Sequence, residues 1–161
     1  MTFPLCAISA FCLWPTVLPA VAFGFEAGDW FVNCEPSDGC ILSQSLMGED
    51  RTWLATVLVI PEKSGGAGAQ VQFIVPAGVH LASGLFAAFG GVDARRAEWI
   101  KCASDACRAD LALDSAEIDA WKRGRSAEIR YRARADGEVI AFPVSLTGFT
   151  AAIAHAKADL Q

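Results

Sequence analysis

Charge is what the opening of this chain lacks: no Lys, Arg, Asp or Glu occurs from Met1 to Ala22. Beyond that stretch basic residues are the minority, 13 against 18 acidic ones, for a net charge of −5. General nucleic-acid binders show a basic domain, so that class is excluded. Histidine is scarce, with only His80 and His155. H-E-x-x-H is missing, the nucleophile elbow G-x-S-x-G is missing, and the glycines near residue 65 lack the Lys-Ser/Thr of a phosphate-binding loop. Neither internal repeats nor low-complexity blocks occur. At 161 residues and 53% hydrophobic, with a mean hydropathy of +0.36, the chain has room for one domain and is too apolar to be disordered over most of its length.

The uncharged opening reads as a secretory signal peptide over 1–22. Ala20-Val21-Ala22 supplies the small-x-small pattern for cleavage after Ala22, leaving a single domain over 23–161. The segment departs from the usual pattern in having no Lys or Arg after Met1 and in carrying Pro4, Pro15 and Pro19. The alternative is a membrane anchor, since an uncharged stretch of this length is long enough to span a bilayer. Cys12 follows Phe11 rather than the small residue of a lipid-attachment site. With cleavage, no stable membrane span is expected.

Four cysteines remain after cleavage: Cys34, Cys40, Cys102 and Cys107. Their spacings, C-x5-C and C-x4-C, do not match zinc knuckles, so neither metal nor cofactor is expected, and an exported chain would form two disulfides. Three pairings are possible. The local one, Cys34–Cys40 and Cys102–Cys107, is preferred because each pair flanks a polar turn. Such short loops gain about 2 kcal/mol each, too little to hold the fold without its core.

The remainder reads as short strands separated by turn signals. Asp29 to Cys34 places Trp30 and Val32 on one side and Phe31 on the other. Further strands are expected over 40–47, 53–60, 70–75, 85–89, 94–101 and 107–113, with Gly90-Gly91-Val92-Asp93 as a hairpin turn. Asp114-Ser115-Ala116-Glu117 is a capping box opening a short helix that stops at Gly124. Ser126 to Arg134 alternates again, with Ile129, Tyr131 and Ala133 inward. Asp136-Gly137 then reads as a two-residue turn into a strand over 138–146, where Pro143 implies an edge or a bulge. Phe149, Ile153, Ala156 and Leu160 form one stripe of a closing helix. The sum is an all-β chain, a two-sheet sandwich with a short inserted helix and a C-terminal helix on its edge.

Catalytic chemistry is thin. His80 is a base in search of a serine, and more simply a residue of a polar loop. Glu49-Asp50, the adjacent acidic pair, reads as solvated. Trp30, Trp53, Trp99 and Trp121 read as core anchors. The basic residues offer more. Lys122, Arg123, Arg125, Arg130, Arg132 and Arg134 cluster, and period-two spacing puts the last three on one face of a strand. Three guanidinium groups in a row suit carboxylate, sulfate or phosphate. The plainer reading is a solvated face neutralised by Glu128, Glu138 or a neighbouring strand.

Taken in order, the motifs resemble a known family. Gly28-Asp29-Trp30-Phe31-Val32-Asn33-Cys34, then Cys40 and Ser43-Gln44-Ser45-Leu46, are similar to the opening of invasion-associated locus B proteins. Val75-Pro76-Ala77-Gly78-Val79, Cys102 to Cys107, Asp114 to Gly124, and the closing Pro143-Val144-Ser145-Leu146-Thr147-Gly148-Phe149 with Ala151-Ala152 follow in the family's order. The resemblance implies a bacterial, exported, immunoglobulin-like β-sandwich associated by name with host-cell invasion, although members occur in bacteria that invade nothing. It brings no catalytic residues, and Arg130, Arg132 and Arg134 are not among its motifs.

The expected function is a non-enzymatic binding protein of the periplasm, outer surface or medium, with a protein, glycan or envelope partner. The alternative is a periplasmic structural or stress-related envelope protein with no host partner. Intact mass and N-terminal sequence of unreduced protein from fractionated cells test the first step. The expected species starts near Phe23 and is lighter by the four hydrogens of two disulfides. A full-length, membrane-bound species would make Met1 to Ala22 an anchor.

Overall fold

The computed structural model describes residues 24–158, apart from 36–37, 64–65 and 90–91. The expected signal peptide, the cleavage site after Ala22, the Gly90-Gly91 turn and Leu160 lie outside the described residues. Among those described are ten strands: β1 (Phe25–Ala27), β2 (Trp30–Glu35), β3 (Gly39–Met47), β4 (Trp53–Pro61), β5 (Ala69–Pro76), β6 (Leu85–Phe89), β7 (Val92–Cys102), β8 (Ala106–Leu113), β9 (Ser126–Arg132) and β10 (Val139–Ser145). Helix α1 (Ser115–Arg123) follows β8, and α2 (Phe149–Ala158) follows β10.

All ten strands belong to one antiparallel sheet, in the order β1-β2-β3-β4-β5-β8-β7-β6-β9-β10. The expected immunoglobulin-like two-sheet sandwich is therefore corrected to a single curled sheet, a half-barrel. The physical reason is β7, an 11-residue strand shared by two sets of neighbours. Its first part pairs with β6 (Leu85↔Ala97, Phe86↔Arg96) and its second with β8 (Glu98↔Asp110, Cys102↔Cys107), with a register shift between Trp99 and Lys101. A bulge bends a strand and increases its twist, so the sheet turns a corner without breaking. Alternating burial is common to sandwiches and barrels, which is why periodicity did not separate them.

The concave face is the core. Val57 and Val59 on β4, Val71, Phe73 and Val75 on β5, and Ala127 and Ile129 on β9 are buried in strict alternation. Each such apolar side chain contributes about 1.5–3 kcal/mol on burial. Phe31 points out, 41% exposed, while Trp30 and Val32 are buried. Of the four tryptophans read as anchors, Trp30 and Trp121 are fully buried, whereas Trp53 and Trp99 are half-buried on the sheet.

Helix α1 is set by its capping box: the Glu117 amide donates to Asp114 Oδ1 and the Asp114 amide to Glu117 Oε2, both at 2.9 Å. The other Glu117 oxygen takes Arg95 Nη1, so this buried carboxylate is compensated on both sides. Helix α2 buries Phe149, Ala152, Ile153 and Ala156, one helical face, against β1, β2 and β3. Lys157 at its end donates to the carbonyls of Gly66 and Ala67 in the β4–β5 loop.

Disulfides join Cys34 to Cys40 across β2 and β3, and Cys102 to Cys107 across β7 and β8. In both cases the two residues are direct cross-strand partners, so each bridge clips a hairpin.

The β9–β10 connection departs from expectation. Strand β9 stops at Arg132, which pairs with Val139, so the loop spans 133–138 rather than the two residues Asp136-Gly137. Ala133 is exposed, not inward. The turn is closed by the Gly137 amide on the Arg134 carbonyl at 3.1 Å, which draws Arg134 out of the ladder. Pro143 lies on the edge strand β10, where its missing N–H costs no ladder bond.

The two ends of the sheet meet at Gln44. Its Nε2 donates to the carbonyls of Asp29 and Ser145, both at 3.1 Å, and its Oε1 accepts from the Ser145 amide at 2.9 Å. Trp30 Nε1 donates to the same Ser145 carbonyl at 3.0 Å, and the Asp29 amide to the Thr147 carbonyl at 3.1 Å. Backbone touches backbone here: a Cβ on Gly28 (φ +57) would strike Thr147 O, and one on Gly148 (φ +85) would strike Ala27 O. Glycine is required at both places by sterics and by the left-handed conformation.

Removing Gln44 takes the partner from the Asp29 carbonyl and the Ser145 amide, while the Ser145 carbonyl keeps Trp30 Nε1; a polar group left unsatisfied away from water costs about 1–3 kcal/mol. Gln44→Met, of similar volume, is expected to lose about 3 kcal/mol in chemical denaturation. A loss below about 1 kcal/mol would mean that α2 packing, not this clasp, holds the sheet ends together.

Candidate anion-binding face

Strand alternation places Arg130 and Arg132 on the convex face of β9, opposite the buried Ile129 and Tyr131. Arg130 is the direct cross-strand partner of Phe86 on β6 and of Ala141 on β10. Phe86 has a second partner, Arg96 on β7. The convex surface therefore carries the row Arg96–Phe86–Arg130–Ala141, an aromatic ring between two arginines, with Arg132 and Val139 alongside. Directly opposed side chains on one face are close enough to act together.

A single 3-10 turn, Leu81–Ser83, leads into β6 through Gly84. The His80 amide donates to the Arg132 carbonyl at 2.8 Å, fixing this turn to β9. His80 Nδ1 and Ser83 Oγ share a hydrogen bond of 2.8 Å. A Cβ on Gly84 would lie 2.9 Å from Arg96 Nε and 3.2 Å from the Phe86 ring, so glycine lets Arg96 lie across the entry to β6. An open hollow of about 290 Å3 lies here, with Arg130, Arg132 and Ser83 as polar lining and Phe86 and Val139 as apolar lining.

The three arginines expected to form one stripe separate into two kinds. Arg130 Nε lies 3.2 Å from Glu128 Oε1, within ion-pair distance but not aligned for a hydrogen bond. Arg132 Nη1 donates to the Gly137 carbonyl, which orients its guanidinium over the hollow. Arg134 lies beyond the strand and pairs with Asp136 at 3.5 Å, both side chains 78% exposed. Exposed pairs of this kind contribute about 0–1 kcal/mol. Arg134 is thus a solvated turn residue, and Arg96 takes the third place on the face. Arg96 has no ion pair among the described residues. Its contribution was hidden in the sequence because only the β6–β7 register shows that it faces Phe86. Lys122 pairs with Asp119 on α1 at 3.0 Å and does not join the face.

The remaining candidates resolve as follows. His80 does meet a serine, but Ser83 is three residues away in the same turn. No carboxylate is among the hydrogen-bond partners of His80 in the described residues, so the pair lacks the orienting third group of a triad. Asp50 serves a turn: the Thr52 hydroxyl (2.6 Å) and then its amide (2.9 Å) hold the carboxyl below its usual range. No group of three or more potential metal ligands is found among the described residues. A second hollow of about 420 Å3 lies over the clasp, beside Gln44, Met47, Arg125 and Ser145.

The family of invasion associated locus B (IalB) proteins has a sequence model that matches residues 30–157. The chain belongs to this family. Two curated relatives, both invasion protein B homologs of Brucella abortus (strain 2308 and biovar 1 strain 9-941), are 23% identical over 165 residues, covering 98% of this chain and 94% of theirs. The fold is similar to the crystal structure of invasion associated protein B from Bartonella henselae, with a TM-score of 0.76 at 16% identity over 85% of this chain and 97% of that one. Of the residues that carried the resemblance, Gly28-Asp29-Trp30, Gln44 and Ser145 to Phe149 gather at the clasp between the sheet ends. Arg96, Phe86, Arg130 and Arg132 lie elsewhere, on the neighbouring strands β7, β6 and β9. Among the described residues no helix of this IalB protein is long and apolar enough to cross a membrane.

Tyr131, buried behind the hollow with its ring edge-on to Phe142 at 6.1 Å, has a phenol raised above its ordinary value of 10.0 by burial. The raised value keeps the folded phenol neutral while the unfolded one ionises. Its contribution is complete below pH 10 and is lost as pH rises through the folded value. Tyr131→Phe is expected to lose less stability than wild type between pH 9 and 11 in denaturant titrations. Identical losses would show that the phenol is solvated in the folded state.

Proposed function

We propose that this chain is exported and acts, without catalysis, as a binding protein of the periplasm, outer surface or medium, docking an anionic partner on the Arg96–Phe86–Arg130–Arg132 face. The observation that carries this reading is a hollow lined by two guanidinium groups, Arg130 and Arg132, with Arg96 on the other side of Phe86, although the chain is acidic overall. Among the described residues only Arg130 of the three is within ion-pair distance of a carboxylate, and that contact is half-exposed. Arginine's planar fork is suited to oxyanions. Two disulfides within one chain fit an oxidising compartment and so support export. The relatives are named as invasion proteins and not as enzymes, which agrees with a docking role.

The test is capture of labelled protein by cultured animal cells and by isolated bacterial envelope. Arg130→Ser with Arg132→Ser is expected to reduce capture at least fivefold with the Tm unchanged, whereas Arg134→Ser alone leaves capture near wild type. Capture insensitive to the double variant would remove the docking role from this face.

A further inference from the structure

Resting on that reading, we infer that the hollow between Arg130, Arg132 and Phe86 binds a single carboxylated sugar ring, a uronic or nonulosonic acid unit, as one residue of a glycan. Size is the first argument. Pockets for drug-sized ligands run about 300–1,000 Å3, and at about 290 Å3 this hollow takes one ring rather than a chain of them.

Charge is the second. Arg130 and Arg132 stand two residues apart on one face, roughly 6.6–6.8 Å along the strand, so both side chains reach one ligand. Their guanidinium planes match a carboxylate in two-point hydrogen bonding. Acidic groups ring the site: Glu128 beside Arg130, Asp136 in the adjoining turn and Glu138 next to Val139. With a net charge of −5 behind them, these groups oppose an extended polyanion or an anionic bilayer. A ligand with one negative charge meets less of this repulsion than an extended polyanion does.

The apolar lining is the third. Phe86 and Val139 form a wall with no use for a bare oxyanion such as phosphate. One face of a pyranose is made of C–H groups and packs on such a wall, while the ring's hydroxyls remain for Ser83 Oγ, whose position is held by His80 Nδ1. Much of the site is set before binding: Arg132 is held on Gly137 O, and the Ser83 turn is fixed to β9 through the His80 amide. Fewer side chains then lose freedom when the ligand arrives.

The experiment is an amide chemical-shift titration of the protein recovered from producing cells with both disulfides intact. The probes are glucuronate, N-acetylneuraminate, glucose, inorganic phosphate and phosphatidylglycerol vesicles. A carboxylated sugar is expected to give saturable shifts at Ser83, Gly84, Arg132 and Val139, with at least tenfold weaker binding of glucose and of phosphate. Arg132→Gln and Phe86→Leu are each expected to weaken it at least fivefold with unchanged Tm. Phosphate binding as well as the sugars would show that the face reads charge alone and would overturn the inference. Shifts produced by the vesicles and by neither sugar would overturn it in favour of membrane docking. Absence of sugar binding, with cell or envelope capture still dependent on Arg130 and Arg132, sinks this inference and leaves the docking reading standing; capture independent of both residues sinks the docking reading itself.

Discussion

The side chain of Gln44 joins the two ends of a ten-stranded sheet. In pairing order β3 lies near one end and β10 at the other, yet Gln44 satisfies the Ser145 amide, the Ser145 carbonyl and the Asp29 carbonyl together. A primary amide is suited to this because it donates and accepts at once, and inside the core each of those bonds replaces one that water would otherwise supply. Its consequences extend to α2. That helix begins four residues after Ser145, so the clasp sets where Phe149 enters the core, with its ring 5.3 Å from both Trp30 and Trp121. Gly28 and Gly148 complete the arrangement by letting two backbone segments approach more closely than any Cβ permits.

This geometry explains why the motifs of the IalB family lie where they do. Gly28-Asp29-Trp30 and Ser145 to Phe149 are more than a hundred positions apart in the chain, and they are in contact because they are the two halves of one closure. They are structural residues that keep the half-barrel curled over its helix. The arginine face lies on β7, β6 and β9 and uses none of these clasp residues. It depends on the β6–β7 register, which sets Arg96 opposite Phe86, and on the β6–β9 pairing, which sets Arg130 on the other side of the same ring.

Local order was legible wherever neighbouring residues decide it. Alternation placed most strands within a residue or two, Asp114 and Glu117 formed the expected reciprocal cap, and the cysteines paired across adjacent strands. Strand β1 and the Leu81–Ser83 turn escaped notice because three residues are too few to show a period. The reach of β9 was read too far, since Arg134 continues the alternation in sequence while the Gly137 turn removes it from the sheet. Arg96 was passed over for the opposite reason: it neighbours Phe86 only through strand pairing.

The sequence by itself determined most of the buried positions, the place of most strands and of both helices, which cysteines are near neighbours, and the family to which the chain belongs. These follow from spacing of two or of three to four residues and from caps and turns, all local interactions. Only the tertiary structure decided that ten strands form one sheet rather than two, that Gln44 holds its ends, and that Arg96, Phe86, Arg130 and Arg132 share a surface. Those outcomes rest on register and on strand order, which bring together groups far apart in the chain, and a period-two pattern is the same whichever strand lies alongside.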